Sequence, residues 1–284
     1  MNKILYHTRN LLWRLKFMLP EHEVTLKTAN GLLSFSNKDW LIGKQLFIHR
    51  HYEIDFIKKV VDFLEENDLL HGEIVCDVGA NIGMISIYLL KSEVFSEAIA
   101  FEPFPRSFEF LIKNVEQNGL RDRVQCLQCA LSSNDGICQL ELADENSGDN
   151  RVRSLSLPGE MREEARKVIS VESCKFDSFV RSRVINPERL GLIWLDIQGH
   201  EGHFFLGAEK FFNERKIPVV SEFWSYGIRR SGISVEDYCE IAQRHFSAFW
   251  LFEQDCFIFY PITAIGHLFD RFRDRREVAQ IILL

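Results

Sequence analysis

The sequence predicts an α/β fold, a doubly wound and mostly parallel sheet with an antiparallel edge hairpin. Strand-like apolar runs alternate with helix-like segments along most of the chain, as in sheets covered by helices on both faces. The early strand-like runs are almost wholly apolar, which indicates burial on both faces. Near the end, two strand-like runs flank the turn Glu253-Gln254-Asp255, which predicts the hairpin.

A helical and hairpin appendage precedes this alternation. Residues 1–18 have helical character up to a proline, and short alternating runs flank Asn30-Gly31, a hairpin-type turn. Apolar residues then recur at helical spacing between Tyr52 and Asn67. We therefore predict an N-terminal cap over residues 1–51 and one main domain over residues 52–284.

The elements of the main domain follow from the same patterns. Strands are predicted at 73–78, 98–101, 124–131, 190–196 and 217–223, helices at 84–90, 106–118 and 235–245, and strand pairs at 137–142 with 168–172 and 248–252 with 257–260. The polar excursion 143–167 is predicted to be either a mobile loop or an insertion that gates a substrate.

Charge and hydropathy limit the classes of partner. The 34 basic and 41 acidic residues give a net charge of −7, which lacks the electrostatic footprint of a nucleic-acid-binding protein. The same balance would not repel a neutral or cationic small molecule. No run of 18 apolar residues is present, so we predict no membrane span.

Seven cysteines are scattered along the chain, and Cys126 and Cys129 form a single C-x-x-C pair. A structural metal site would need a second pair, and a strand over 124–131 would place the two thiols on opposite faces. We predict free thiols, no metal site and a reducing, cytoplasmic location.

The first twenty residues combine basic and apolar side chains but lack the uninterrupted apolar core of a signal peptide. We expect this helix to pack on its own domain or on a partner, with peripheral membrane contact as the alternative. Together with the apolar tail Ala279–Leu284, it is a candidate surface for homo-oligomer contacts.

A glycine turn follows the first strand of the main domain. Asp77, Gly79, Asn81 and Gly83 give the spacing D-x-G-x-N-x-G, which differs from the G-x-G-x-x-G turn that holds a pyrophosphate. An acidic residue at this strand end suits the ammonium of a methionine moiety better than a pyrophosphate. The turn therefore predicts an S-adenosylmethionine site.

The second strand ends in Glu102-Pro103, nineteen positions after Gly83. One helix and one strand fit in that interval, so the Glu102 carboxylate is expected beside the ribose hydroxyls of the cofactor, with Pro103 next to it. A carboxylate at this place would also suit the ribose of NAD. Glu102 therefore indicates S-adenosylmethionine only in combination with the spacing of the glycine turn.

Polar residues also crowd the ends of the fourth and fifth strands, in the runs LDIQGHE (195–201) and SEFW (221–224). Together, the turn DVGANIG, the segment EPFP, LDIQGHE and the following LGAE resemble the FkbM family of methyltransferases. The resemblance covers about 54–223. It implies a class I methyltransferase fold that uses S-adenosylmethionine to methylate hydroxyl oxygens, often of glycans or polyketide-type products.

The family pattern K-x-D-x-E-G-x-E is matched here at Asp196, Gly199 and Glu201, whereas Trp194 and Gln198 replace its lysine and first glutamate. A hydroxyl acceptor needs a general base, for which Asp196 and His200 are the candidates. Asp196 is also expected to contact the cofactor. Residues expected to contact the substrate are Gln198, Glu201, Glu222 and Trp224.

Four alternatives stay open. His200 could be a solvated residue of the next helix, and Glu201 could favour that helix terminus instead of a substrate. The two departures from the family pattern allow a catalytically silent, cofactor-binding interaction protein. An NAD-dependent oxidoreductase is disfavoured by the absence of a G-x-G-x-x-G turn.

Overall fold

A computed structural model describes residues 3–182 and 184–284 and contains eleven α-helices and fourteen strands in that part of the chain. The helices are α1 (Lys3–Met18), α2 (Ile42–His49), α3 (Ile54–Glu66), α4 (Met84–Lys91), α5 (Pro105–Gln117), α6 (Phe176–Arg181), α7 (Glu201–Gly207), α8 (Glu209–Glu214), α9 (Ser225–Arg230), α10 (Val235–His245) and α11 (His267–Arg271). The strands are β1 (Glu23–Lys27), β2 (Leu32–Ser36), β3 (Ile74–Val78), β4 (Glu97–Phe101), β5 (Val124–Leu127), β6 (Ala130–Leu131), β7 (Gly136–Glu141), β8 (Arg151–Val152), β9 (Val168–Cys174), β10 (Leu190–Leu195), β11 (Val219–Phe223), β12 (Ala248–Glu253), β13 (Cys256–Pro261) and β14 (Ala279–Leu283).

An eight-stranded sheet of order β13-β12-β14-β11-β10-β3-β4-β5 forms the centre of the fold. Five adjacent strands, β11, β10, β3, β4 and β5, pair in parallel. At the other edge, β14, β12 and β13 pair antiparallel. Every residue of β3 and β10 is buried, which explains their apolar runs. The structure confirms the predicted α/β class and its edge hairpin, β12–β13.

The predicted strand over 124–131 is divided in two. β5 ends at Leu127 in the central sheet, and β6 begins at Ala130 in a second sheet of order β6-β9-β7-β8. Cys126 and Cys129 nevertheless pack into different hydrophobic cores, and all seven cysteines are free thiols. No group of metal-ligating side chains occurs among the residues that the structure describes.

The tail Ala279–Leu284, predicted to be a surface for homo-oligomer contacts, instead contains a strand of the central sheet, β14. β14 lies between β11 and β12 and hydrogen-bonds to both. Ile281, Ile282 and Leu283 are at most 1% exposed. They are therefore unavailable for an oligomer contact, because they fill both faces of the sheet in their own chain.

The N-terminal cap packs against α4 and α5. Its Trp13 and Phe35 share a hydrophobic core with Ile87 and Leu111. The buried Asn114 side chain accepts a hydrogen bond from the Ser34 amide (2.7 Å) and donates to the Ser34 carbonyl (3.1 Å). The cap therefore continues the core of the main domain.

The helix α2 was not predicted, because eight largely apolar residues carry no periodicity that separates a helix from a strand. The helix α1 and the hairpin β1–β2 agree with prediction. Within the described residues, no helix has the length and apolar character needed to cross a bilayer.

Candidate active site

A cavity of about 220 Å³ opens at the carboxyl ends of β3, β4, β10 and β11. In open α/β sheets this edge, where the strand order reverses, is the usual ligand site. The cavity brings together most of the predicted residues: Asp77, Gly79, Asn81, Glu102, Pro103, Asp196, Gln198, His200 and Glu222. Gly83, Glu201 and Trp224 do not line it.

The glycine turn lies directly against the end of β10. Gly79 has a φ of 88°, and a Cβ there would lie 1.9 Å from the carbonyl oxygen of Asp196. Gly83, with a φ of 87°, ends the glycine turn and directly precedes the first residue of α4. Only glycine at position 79 permits this close approach of the two strand ends.

One oxygen of the Asp77 carboxylate is hydrogen-bonded to the first turn of α4. Its Oδ2 accepts hydrogen bonds from the Ser86 amide (3.1 Å) and the Ser86 hydroxyl (2.5 Å). Its Oδ1 has no hydrogen bond to any described residue. Burial raises the pKa of Asp77 to about 6, against the opposing effect of the Ser86 hydrogen bonds.

Glu102 is oriented by two backbone amides. Its Oε2 accepts from Asn81 N and its Oε1 from Phe104 N, each at 2.8 Å. These bonds connect the ends of β3 and β4. Burial, only partly offset by the two amides, raises the pKa of Glu102 to about 7.

Asp196 and Glu222 are connected by an amide. Gln198 donates from Nε2 to Asp196 Oδ1 (2.7 Å) and to Glu222 Oε1 (3.4 Å). The Asp196 side chain is exposed in the cavity, where partial removal of water by the surrounding protein raises its pKa. The pKa of Glu222 lies well above its usual range because of burial first and the neighbouring Asp196 second.

Glu53 lines the same cavity, although no sequence pattern predicts it. Glu53 adopts a left-handed φ of 52° just before α3, and the preceding Tyr52 is fixed by the buried Asn30 side chain at 2.8 and 3.0 Å. Burial, and then the Asp196 carboxylate, raise the pKa of Glu53 to about 7. No motif marks Glu53, because its place at the cavity depends on how the segment before α3 packs.

His200 is buried and neutral. Its Nε2 shares a hydrogen bond with the Ser132 hydroxyl (2.9 Å), and its ring stacks on His203 at 4.3 Å. Burial, followed by the proximity of His203, lowers its pKa well below the usual value. The solvated position considered for His200 is therefore wrong.

Glu201 and Trp224 lie behind the residues that line the cavity. Glu201 is fully buried, and its Oε1 accepts from the amides of Gly199 (3.1 Å) and Ile197 (3.4 Å). Trp224 donates from Nε1 to the Arg275 carbonyl (2.8 Å). Both side chains are already engaged by protein groups, so the structure does not place them with the residues that a substrate would touch.

The polar excursion forms a roof over the cavity together with the cap. Ser147 donates a 2.5 Å hydrogen bond to Asp39 of the cap, and residues 146–148 and 150–152 line the cavity. Arg151 is 4% exposed and pairs with Glu141 (2.7 Å) and Glu163 (3.1 Å). The excursion is thus a packed insertion rather than an extended loop.

The ionisable side chains at the cavity are mostly acidic. The carboxylates that line it are Asp77, Glu102, Asp196, Glu222 and Glu53, whereas Arg151 is the one lysine or arginine among the described lining residues. Arg151 is already paired with two glutamates. The cavity therefore favours a ligand with a positive charge and with hydroxyl groups for the oriented carboxylates.

The chain is similar to several known methyltransferases. A family model described as "Methyltransferase FkbM domain" matches residues 77–274, which contain the glycine turn and the ends of β4, β10 and β11. Methyltransferase sdnD of Sordaria araneosa is 27% identical over 176 residues, covering 55% of this chain and 68% of that protein. The 2-O-methyltransferase NoeI of Sinorhizobium fredii is 25% identical over 175 residues, covering 58% and 68%.

Among solved structures, a methyltransferase FkbM from Methylobacillus flagellatus superposes with a TM-score of 0.45 at 15% identity. That superposition covers 75% of this chain and 44% of the other. The family model covers more than half of the chain and includes each strand end that builds the cavity. The chain therefore belongs to the FkbM family of methyltransferases.

Proposed function

We propose that this protein is an S-adenosylmethionine-dependent O-methyltransferase that methylates a hydroxyl of a glycan or a secondary metabolite. The observation that carries the proposal is the contact between Gly79 and the backbone of Asp196. This contact brings the glycine turn and the Asp196 carboxylate to the same cavity.

The residues of the cavity fit this cofactor. The Asn81 backbone amide holds the Glu102 carboxylate, whose oxygens suit ribose hydroxyls, with Pro103 beside them. The Asp77 Oδ1 is available for the ammonium of the methionine moiety. The acidic side chains of the cavity suit a ligand that carries both an ammonium and a sulfonium. The turn has neither the spacing nor the charge that a pyrophosphate cofactor needs.

When bound, the cofactor supplies an electrophilic methyl group, and the protein mainly supplies alignment and exclusion of water. Asp196 accepts the proton that the acceptor hydroxyl loses, because its carboxylate faces the cavity and its pKa is raised. Gln198 orients Asp196 through the 2.7 Å hydrogen bond and connects it to Glu222. His200, neutral and bonded to Ser132, borders the same space as the second candidate base.

The proposed acceptor class is supported by the relatives. One of them is named a 2-O-methyltransferase, at 25% identity. The cap and the excursion both line the cavity, and they are the parts of this chain best placed to select an acceptor.

Calorimetry with S-adenosylhomocysteine tests the cofactor. We expect binding at micromolar concentrations and a loss of about tenfold, or 1.4 kcal/mol, in Glu102→Ala. No binding at high micromolar concentration would refute the proposal. Turnover is then measured as a mass increase of one methyl group on glycan and polyketide-type alcohols.

A catalytically silent, cofactor-binding protein is the second candidate. The observation that favours it is Trp194, a buried residue that packs edge-on against Phe56 where the family pattern has a lysine. Tight cofactor binding without turnover on the alcohol panel would support this second candidate over the first.

A further inference from the structure

The N-terminal helix α1 exposes an apolar stripe along its whole length. Its members are large apolar side chains, each at least 43% exposed: Leu5, Leu11, Leu12, Leu15 and Met18. At 100° per residue these five positions fall within an arc of about 140° of the helix surface. Leu19, which follows the helix directly, is also exposed.

The opposite side of α1 is fixed to the cap, so the stripe cannot turn inward. Trp13 is fully buried against the rings of Phe35 and Phe47, at centroid distances of 6.1 and 5.4 Å. The Asn37 side chain donates to the Lys16 carbonyl at 2.7 Å. The exposure of the stripe therefore belongs to the folded protein.

Basic residues flank the stripe on both sides. Residues 1–20 contain four basic residues and no acidic one, whereas the rest of the chain has 30 basic and 41 acidic residues. On the helical wheel, Lys3 and Arg14 lie along one border of the arc and Lys16 along the other. None of the ion pairs between described residues involves these three side chains.

We propose that α1 attaches this protein to anionic lipid surfaces, with the stripe in the acyl boundary and the flanking basic residues at the headgroups. An apolar arc bordered by lysine and arginine is typical of helices that lie in a membrane interface. Anionic headgroups also complement the charge of this segment. Pairing of two copies through α1 would bring eight positive charges together, so a lipid surface fits better than a second copy.

Co-sedimentation of the full chain with vesicles tests the proposal. We expect binding to equimolar phosphatidylcholine and phosphatidylglycerol, at least tenfold weaker binding to phosphatidylcholine alone, and weakening at high salt because the headgroup attraction is screened. The double variant Leu11→Glu, Leu15→Glu should lose at least tenfold in vesicle affinity. Leu157→Glu, at an exposed leucine of the excursion, is the matched control and should bind as the parent protein does.

The melting temperature, with and without S-adenosylhomocysteine, checks that each variant is folded; Leu11→Gln, Leu15→Gln replaces the charged variant if that variant is unfolded. Absence of binding to the anionic vesicles would overturn the proposal, as would binding that survives both double variants. A dimer in light scattering that the double variant converts to a monomer would assign the stripe to a second copy instead. None of these results depends on methyl transfer.

Discussion

Asp196 combines three features that belong to a proton acceptor. It faces the cavity, its neighbour Gln198 orients it, and partial removal of water by the surrounding protein raises its pKa. Its neighbour Glu222 also has a raised pKa, because of burial and then the Asp196 carboxylate. In this arrangement, the amide of Gln198 at the family's glutamate position avoids a third adjacent carboxylate.

Asp196→Asn should reduce turnover by at least about 100-fold, because the amide cannot accept the hydroxyl proton. Cofactor affinity should fall much less, since Asn keeps the shape of the side chain and the backbone contact with Gly79. Single-turnover kinetics and calorimetry measure the two effects separately. Asp62→Asn, on the exposed side of α3, is the control for a lost carboxylate far from the cavity. Unchanged turnover in Asp196→Asn would contradict this role and would indicate His200 as the general base.

At the scale of elements, the approach of the carboxyl ends of β3 and β10 depends on the missing Cβ of Gly79. Gly79→Ala would place a methyl group 1.9 Å from the Asp196 carbonyl, in addition to the cost of a positive φ. We expect at least a tenfold loss of S-adenosylhomocysteine affinity and a lower melting temperature.

Gly119→Ala is a matched control for Gly79→Ala. Gly119 also has a positive φ, of 70°, but a Cβ there would contact nothing within 4 Å. This variant should carry only the backbone cost, about 1 kcal/mol, and should bind the cofactor normally. Equal losses of affinity in the two variants would show that the contact with Asp196 is unimportant.

The excursion depends on buried charges. Arg151→Met should destabilise the protein by about 1–3 kcal/mol, because it removes buried, charged hydrogen bonds to Glu141 and Glu163. The two glutamates keep Arg153 and Tyr226 as partners. Arg275→Met removes an ion pair with Glu160 that is largely exposed, and should cost less than about 1 kcal/mol. Urea denaturation compares the two variants, and similar midpoints would contradict a packed roof.

How far the sequence predicts the structure also differs between elements. The ends of β3, β4 and β10 were predictable, because each joins an apolar run to a polar turn with fixed spacing. Glu53 and the ion pairs of Arg151 were not, since both depend on how distant segments pack. The position of β14 between β11 and β12 was missed for a related reason: a short apolar run does not specify its partners.

The buried carboxyl groups couple the stability of the whole molecule to pH. The pKa of Glu102 is raised to about 7 and that of Glu201 to about 8, both above the ordinary value of 4.5. The folded state then holds more protons than the unfolded state, and stability is lost as pH rises from the ordinary value to these raised values. The lowered pKa of His200 acts in the opposite sense, but only below its ordinary value of 6.5.

We therefore expect the melting temperature of the ligand-free protein to fall between about pH 6.5 and pH 8, above the range in which His200 opposes the change. Glu201→Gln should make this fall smaller, because the amide keeps an acceptor for Gly199 N and removes one ionisation. Scanning calorimetry in matched buffers measures both trends. A flat or rising melting temperature across that window would contradict the buried, protonated state of these groups.

The insertion of β14 has a consequence for how the chain is made. Its partners β11 and β12 come earlier in the sequence, and neither completes its pairing until residues 279–283 arrive. A ribosome-bound chain that has reached only β13 therefore carries two open strand edges beside an apolar groove, the features that promote mispairing between neighbouring nascent chains. Protection by a chaperone would matter most in this short interval, after the site has been translated but before the sheet closes.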